Sequence, residues 1–206
     1  PTLTVYLNGA GGGARAVTVT KTPTTDITDL DLIENRVIVR HENTAAMTIG
    51  DMASFDSTDD VDIAFAAATG TVHTLVVASD TELYVWATST FTPGGAVTLL
   101  GGGTGNDYDG SLHLDNASVF TGAGTTTYAI GGSYTQEAGA TFVPASSTIT
   151  FTATTTGKGI VSATGESITV HALTFTGVGG GWNLTGDITA SGNISLATGT
   201  LTGTGD

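Results

Sequence analysis

The chain contains no cysteine, and this absence excludes disulfide bonds, metal–thiolate sites and cysteine redox motifs. Basic residues are also scarce: five Lys and Arg stand against 19 Asp and Glu, for a formal net charge of −14. Such a chain repels phosphate backbones and anionic membrane surfaces, so we expect no nucleic-acid partner. No apolar run approaches the roughly 18 residues of a membrane-spanning helix, so we expect no membrane insertion. The chain begins at Pro1, which we interpret as a processed subunit or a fragment of a larger protein.

Threonine, serine and glycine take the place of charge. About a quarter of the residues are Thr or Ser, and 30 are Gly. Thr is β-branched and suits a pleated, half-exposed strand, whereas Gly allows tight turns between short strands. Few stretches follow the 3.6-residue period of an amphipathic helix. The composition therefore predicts an all-β protein.

Related tripeptides recur about 24 residues apart in the last third of the chain: Thr150-Phe151-Thr152, Thr174-Phe175-Thr176 and Thr198-Gly199-Thr200. The same shift aligns Ile149 with Leu173, Ile160 with Leu184, and Val170 with Ile194. A second echo, Thr90-Phe91-Thr92-Pro93 and Thr141-Phe142-Val143-Pro144, is about 51 residues apart, close to two such steps. Repeats of this length are typical of solenoid coils, so we predict a parallel β-solenoid.

Strand periodicity also predicts which side chains face the core. We expect these to point inward: Ile149, Phe151, Ile160, Val170, Leu173, Phe175, Leu184 and Ile194. We expect these to point outward: Thr152, Thr174 and Thr176.

The first 75 residues have a different composition and hold most of the acidic residues. We predict a β-rich N-terminal cap or sandwich over residues 1–75 and the Gly/Thr-rich solenoid over 76–206. The alternative is a solenoid that starts early with irregular coils. Predicted strands here are Thr2–Leu7, Ala16–Lys21, Arg36–Arg40 and Val61–Phe65, with a helical piece around Ala45–Ser54.

From about Asp80 onward the amino-acid sequence resembles a known group of repeats. The stretches are ELYVWATSTFTPGGAVTL, ATFVPASSTITFTATTTGKGI and ALTFTGVGGGWNLTGDITASGNISLATGTLTGTG. They resemble Gly/Thr-rich repeats of very large bacterial secreted surface proteins, similar to adhesin and autotransporter passenger domains. The resemblance implies a right-handed parallel β-solenoid that acts as a stalk or display surface, and it implies no catalytic residue.

One turn is a candidate cation site. In GTGNDYDGS, Asp107 and Asp109 are carboxylates of the kind that calcium prefers. The match to an EF-hand loop is incomplete, because Gly105 stands at the first ligand position and no distal Glu follows. The competing interpretation is a solvated turn, which Asp also favours. We expect no other cofactor.

Catalytic motifs are missing. The four histidines, His41, His73, His113 and His171, show no paired metal-binding spacing, and no GxSxG elbow occurs. Asp59 and Asp60 are adjacent, and neighbours on a strand point to opposite faces, so they cannot share one cleft. We therefore predict that the protein is not an enzyme.

Two other functions stay open at this point. The aromatic residues include a set that suits either a sugar-stacking platform or the core: Tyr84, Trp86, Tyr108, Tyr128, Tyr134 and Trp182. The Thr-x-Thr tripeptides would form three rungs of an ice-binding face. The main prediction is a non-catalytic structural protein of the cell surface or extracellular space, a fibre or adhesin-stalk segment. Its expected partners are further copies of itself or the rest of a larger chain, and surface glycans are a further candidate. The alternative function is that of a carbohydrate-binding or carbohydrate-cleaving β-helix.

Overall fold

The computed structural model describes residues 1–9, 14–21 and 27–203. They form an all-β protein, 2% helix and 45% strand, whose fold is a parallel β-solenoid with a small antiparallel N-terminal pair. The solenoid has about eight turns. The predicted fold class is confirmed.

Nine strands stack along the solenoid axis in what we call the long sheet. In spatial order they are β1 (Thr2–Tyr6), β2 (Ala16–Lys21), β3 (Arg36–His41), β6 (Glu82–Val85), β9 (Leu112–Leu114), β12 (Tyr134–Gln136), β15 (Lys158–Ser162), β18 (Gly181–Thr185) and β21 (Thr200–Gly203). Strand β1 pairs antiparallel with β2, and every later neighbour is parallel.

Two further sides complete each coil. The seven-stranded sheet contains β4 (Phe65–Thr69), β5 (His73–Val77), β8 (Ala96–Leu99), β11 (Thr127–Ile130), β14 (Thr148–Phe151), β17 (Ala172–Phe175) and β20 (Ile194–Leu196). The third side contains β7 (Thr90–Phe91), β10 (Val119–Thr121), β13 (Thr141–Val143), β16 (Ser167–Val170) and β19 (Asp187–Ala190). A coil therefore visits the long sheet, the third side and the seven-stranded sheet in turn, as β12, β13 and β14 do.

Columns of aromatic rings fill the interior. Phe91, Phe120 and Phe142 pair in register on the third side, with neighbouring ring centroids 5.4 and 5.3 Å apart. The two TF-x-P echoes are thus two coils apart, as predicted. Phe151 stacks on Phe175 at 5.2 Å, and both rings are fully buried. Because each coil places an apolar ring above the last, short strands suffice to build a continuous core.

The 24-residue step holds for part of the chain. Ile149 pairs with Leu173 and Ile160 with Leu184, as predicted. The predicted pairing of Val170 with Ile194 is wrong, because Ile194 pairs with Leu173. Backbone hydrogen bonds fix which strands pair with each other. The corner loops between strands tolerate the gain or loss of residues, so the number of residues in a coil varies.

The predicted core is buried except at its last coil. Six of the eight inward positions are at most 2% exposed: Ile149, Phe151, Ile160, Val170, Leu173 and Phe175. Leu184 is half-buried and Ile194 is 56% exposed, since β20 is an edge strand. Thr152 and Thr174 are partly exposed and Thr176 is exposed, as expected for the outer face.

The N-terminal region closes one end of the core. The predicted strands at Thr2–Leu7, Ala16–Lys21 and Arg36–Arg40 are present. The predicted strand Val61–Phe65 is wrong: Val61 is 81% exposed in a turn, and β4 begins only at Phe65. The predicted helical piece is a single short helix, α1 (Ile49–Met52), with Thr48 as its capping residue.

Buried apolar side chains beside α1 fill the end of the solenoid: Met47, Ile49, Met52 and Ile63, each at most 1% exposed. Strands β4 and β5 form an antiparallel hairpin at the same end of the seven-stranded sheet. Residues 75 and 76 lie within strand β5 of the seven-stranded sheet, and in the long sheet β3 pairs directly with β6, so strands from before and after this point share both sheets. The division into two domains there stays a prediction.

Truncation of a stacked ring tests the core. We expect Phe175→Ala to lower the free energy of unfolding by about 3–5 kcal/mol, because a fully buried phenyl ring leaves a cavity against Phe151 and Trp182. The control Val72→Ala, at a side chain 65% exposed, should change it by less than about 0.5 kcal/mol. Urea denaturation measures both, and equal effects would contradict the register.

A glycine at one corner tests the close approach of successive coils. A Cβ atom on Gly177 would collide with the carbonyl oxygen of Ala153 in the coil below. We expect Gly177→Ala to destabilise the protein by about 1–3 kcal/mol or more, since backbone cannot yield as a flexible side chain does. Gly70→Ala is the matched control, because nothing lies within 4 Å of the added atom. An unchanged melting temperature for Gly177→Ala would show that the coils are not in contact there.

Candidate functional site

Asp109, one of the two predicted calcium ligands, is buried in the loop between β8 and β9. Its Oδ1 accepts hydrogen bonds from the amides of Asp80 (2.9 Å) and Gly102 (2.6 Å), and its Oδ2 accepts one from Thr104 (3.3 Å). Burial alone raises the pKa of Asp109, but these amides and the charge of Lys158 outweigh it and lower the pKa. The carboxylate therefore stabilises the loop.

Asp107, the other predicted ligand, is exposed in the same loop, and its carbonyl oxygen accepts a hydrogen bond from the Ser111 hydroxyl at 2.5 Å. Across residues 1–9, 14–21 and 27–203, no three or more His, Asp or Glu side chains are grouped to hold a metal ion. The calcium role of Asp107 and Asp109 stays a prediction.

A buried lysine also holds this loop in place. Lys158 in β15 is 2% exposed, and its Nζ donates to the Asn106 carbonyl oxygen at 2.9 Å. A buried ammonium group without a partner would be costly, so this contact favours one loop position. The hydrogen bonds of Lys158 and Asp109 hold residues 100–110 beside the long sheet, and we call this segment the loop wall.

Charged side chains from four coils meet on the outer face of the long sheet. The Nε of Arg36 lies 2.8 Å from Glu82 Oε2, and His113 lies between two carboxylates. Its Nδ1 is 3.5 Å from Glu82 Oε1, and its Nε2 is 2.9 Å from Glu137 Oε1. The Nδ2 of Asn116 donates to the second Glu137 oxygen at 2.8 Å. We call Arg36, Glu82, His113 and Glu137 the imidazole cluster.

The surroundings of His113 shift the pKa of its imidazole. Burial alone lowers the pKa of this imidazole, but the hydrogen bonds and negative charges of Glu82 and Glu137 outweigh burial and raise it. The cluster pairs two carboxylates with two basic groups, so its charges compensate one another.

Aromatic rings flank the imidazole cluster. The guanidinium carbon of Arg36 lies 4.5 Å from the ring centroid of Tyr84, and Arg40 lies 5.6 Å from that of Trp86. Tyr84 also contacts the His113 ring at 4.5 Å. Such contacts hold the basic groups in place.

Most of the predicted sugar-stacking platform lies elsewhere. Tyr128, Tyr134 and Trp182 are each 1% exposed and belong to the core. Tyr84 is 8% exposed, beneath Arg36, whereas Trp86 and Tyr108 are partly exposed. Tyr108 belongs to the loop wall and lines the same groove as Arg36, Glu82 and His113.

A groove of about 420 Å³ lies between this wall and the imidazole cluster. We call it the loop groove. Its lining includes Arg36, Glu82, His113, Tyr108, Ser133 and Thr135. Sequence reasoning missed it, because its residues come from distant parts of the chain.

The other histidines and the acidic residues near the end of β1 do not converge on this groove. His41 ends β3, His73 begins β5, and His171 hydrogen-bonds the Ser191 hydroxyl at 3.1 Å. Asp56, Asp60 and Asp62 accept hydrogen bonds from their own loop and from the end of β1.

The three Thr-x-Thr rungs do not form one column. Thr150 pairs with Thr174, but Thr174 then pairs with Ser195, and Thr200 pairs with Gly181 on the long sheet. The regular threonine face that an ice-binding role needs is therefore broken after two rungs.

No family model matches the chain, and neither does any curated protein or solved structure. The fold implied by the resemblance is present as a β-solenoid of about eight turns, but no family is identified. No helix among the described residues is both long enough and apolar enough to cross a membrane.

The imidazole cluster predicts a pH-dependent stability. The raised pKa of His113 stabilises the fold fully below the unfolded value of about 6.5, and this contribution is lost as pH rises through the folded value. We expect His113→Gln to cost about 1–3 kcal/mol at pH 5.5 and clearly less at pH 9, as measured by urea denaturation. Val72→Ala, at an exposed side chain that does not titrate, is the control and should show the same small stability difference at both pH values. Equal losses for His113→Gln at pH 5.5 and pH 9 would contradict the charged network.

Proposed function

We propose that this chain is a non-catalytic structural segment of an extracellular fibre or adhesin stalk that continues end to end into another copy of itself. The proposal includes membership of the large bacterial surface proteins whose repeats it resembles. The observation that carries it is the long sheet. Its two edge strands, β1 and β21, lie at opposite ends of the molecule, so a second copy can extend the same sheet.

The C-terminal end presents apolar side chains that stand in core columns. Ile194 pairs with Leu173 and Leu196 with Phe175, yet these two β20 residues are 56% and 53% exposed. Leu201 in β21 pairs with Trp182 and is 37% exposed. An end of this kind favours stacking, because solenoid interiors are otherwise covered by a neighbouring coil.

The N-terminal end offers a matching edge. Within residues 1–9, 14–21 and 27–203, strand β1 pairs on one side only, with β2, and Leu3 and Leu7 are 40% and 44% exposed. Because β1 runs antiparallel to the other long-sheet strands, it would meet β21 of a neighbour as an antiparallel pair. Main-chain hydrogen bonds would supply affinity, and alternating side chains would supply register.

Charge favours the head-to-tail arrangement. Asp60 and Asp62 lie beside β1, where they accept hydrogen bonds from Tyr6 and Gly9. Residues 178–203 contain a single charged side chain, Asp187. Two N-terminal ends would bring carboxylates together, whereas an acidic end against a nearly neutral one has no such repulsion. A head-to-tail contact that does not close on itself propagates as a filament.

Light scattering and electron microscopy of the purified chain test this assembly. We expect the mean mass to rise with concentration and rods to lengthen by whole subunits. Leu196→Lys, which places a charge at the stacking end, and deletion of residues 1–8 should each reduce the mass to that of a monomer. Val143→Lys is the control, since Val143 is 41% exposed on the third side, away from both ends.

Two outcomes would overturn the proposal. A monomer at every concentration would show that the ends do not associate. A mass that stops at a dimer would indicate a closed symmetric contact instead of a filament.

A further inference from the structure

We propose that the loop groove is a binding site for a short, uncharged oligosaccharide. This is a recognition function distinct from end-to-end assembly, and it uses a different surface. The observation that supports it is a groove lined by charged and hydroxyl-bearing side chains, between the loop of residues 100–110 and the imidazole cluster.

The groove extends along the solenoid axis, because its lining comes from successive coils. Arg36 lies in β3, Glu82 in β6, His113 in β9, Thr135 in β12 and Gly159 in β15. Neighbouring strands of a sheet are about 4.8 Å apart, so these five strands span about 19 Å along the axis. That shape fits an extended chain better than a compact ligand.

The floor is low because its residues are small. Ser133 lies between β11 and β12, its hydroxyl accepts a hydrogen bond from the Gly159 amide at 3.0 Å, and Gly157 adds no side chain. An added Cβ on Gly159 would lie 3.2 Å from the Val161 side chain, so a larger residue there would rise into the groove. The absence of side chains at these positions leaves room for a ligand against the sheet.

The chemistry of the lining suits sugar hydroxyl groups, which both donate and accept hydrogen bonds. Thr135 and Ser133 carry hydroxyls, Asp107 supplies a carboxylate, and Arg36 supplies N–H donors. Tyr108 adds a partly exposed ring with an apolar face and a polar tip. A small number of polar groups at defined positions is enough to fix the orientation of a ligand in a binding site.

Charge and topology exclude other ligand classes. The carboxylates of Glu82, Glu137 and Asp107, in a chain of net charge −14, disfavour phosphorylated, sulfated or uronic ligands. An extended peptide would need an unpaired strand edge, whereas β6, β9, β12 and β15 are paired on both sides.

Contacts within the chain hold the lining of the groove in place without a ligand. Lys158 and Asp109 fasten the wall, and both oxygens of Glu82 lie against basic groups of the chain. A preformed site spends little free energy on ordering, which favours binding of a weakly interacting polar ligand. With Glu82 engaged in this way, the arrangement suits binding rather than glycoside cleavage.

Titration of the intact chain with neutral hexasaccharides tests the proposal. The probes are cellohexaose, fully N-acetylated chitohexaose, mannohexaose and maltohexaose, and binding is followed by calorimetry and by NMR chemical-shift changes. We expect at least one to bind, and we expect Tyr108→Ala and Gly159→Thr each to weaken it about tenfold or more. Thr174→Ala, on the outer face of the seven-stranded sheet, should leave affinity unchanged. Thermal melts of each variant separate loss of binding from loss of fold.

The remaining outcomes decide against the site. Binding that persists in both Tyr108→Ala and Gly159→Thr would place the ligand elsewhere. Absence of binding to every hexasaccharide, or binding to an extended peptide library alone, would overturn the oligosaccharide assignment. These results are separate from assembly, because neither substitution lies at a solenoid end.

Discussion

Hydrogen bonds between strands stacked along the solenoid axis underlie the other features of this protein. They place each coil directly above the last, so a residue type repeated along the chain becomes a column in space. Phe91, Phe120 and Phe142 form one such column, and Phe151 with Phe175 forms another. The core gains its continuity from these columns rather than from long strands, which explains how strands of two to six residues form a stable interior.

The same stacking organises the outer surface. Side chains that alternate outward from successive coils of the long sheet lie a few ångströms apart, so Arg36, Glu82 and His113 meet although they are far apart in the chain. The corners, in contrast, are free to vary in length. The long corner between β8 and β9 becomes the wall of the loop groove, because Lys158 and Asp109 hold it against the sheet. Regular strands and one irregular corner thus combine to shape the candidate site.

Much of the fold was predictable because local chemistry and repetition agree. The Thr-Phe repeats, the glycine turns and the lack of helical periodicity pointed to a solenoid, and the pairing of Ile149 with Leu173 followed from the repeat length. Prediction failed where the chain departs from that repeat: Ile194 lies in register with Leu173, and Val61 occupies an exposed turn. The imidazole cluster escaped sequence reasoning, since Glu82, His113 and Glu137 belong to different coils and follow no known motif.

The sequence by itself determined the all-β class, the parallel stacking and the inward face of most strands, because period-two alternation and repeated apolar residues act locally. Only the tertiary structure decided the register of each coil, since that depends on how many residues every corner uses. It also decided which polar residues meet. Asp109 is buried and accepts hydrogen bonds from backbone amides, instead of lying in a solvated turn, and His113 lies between two carboxylates. Both outcomes depend on contacts between coils, which no single stretch of sequence encodes.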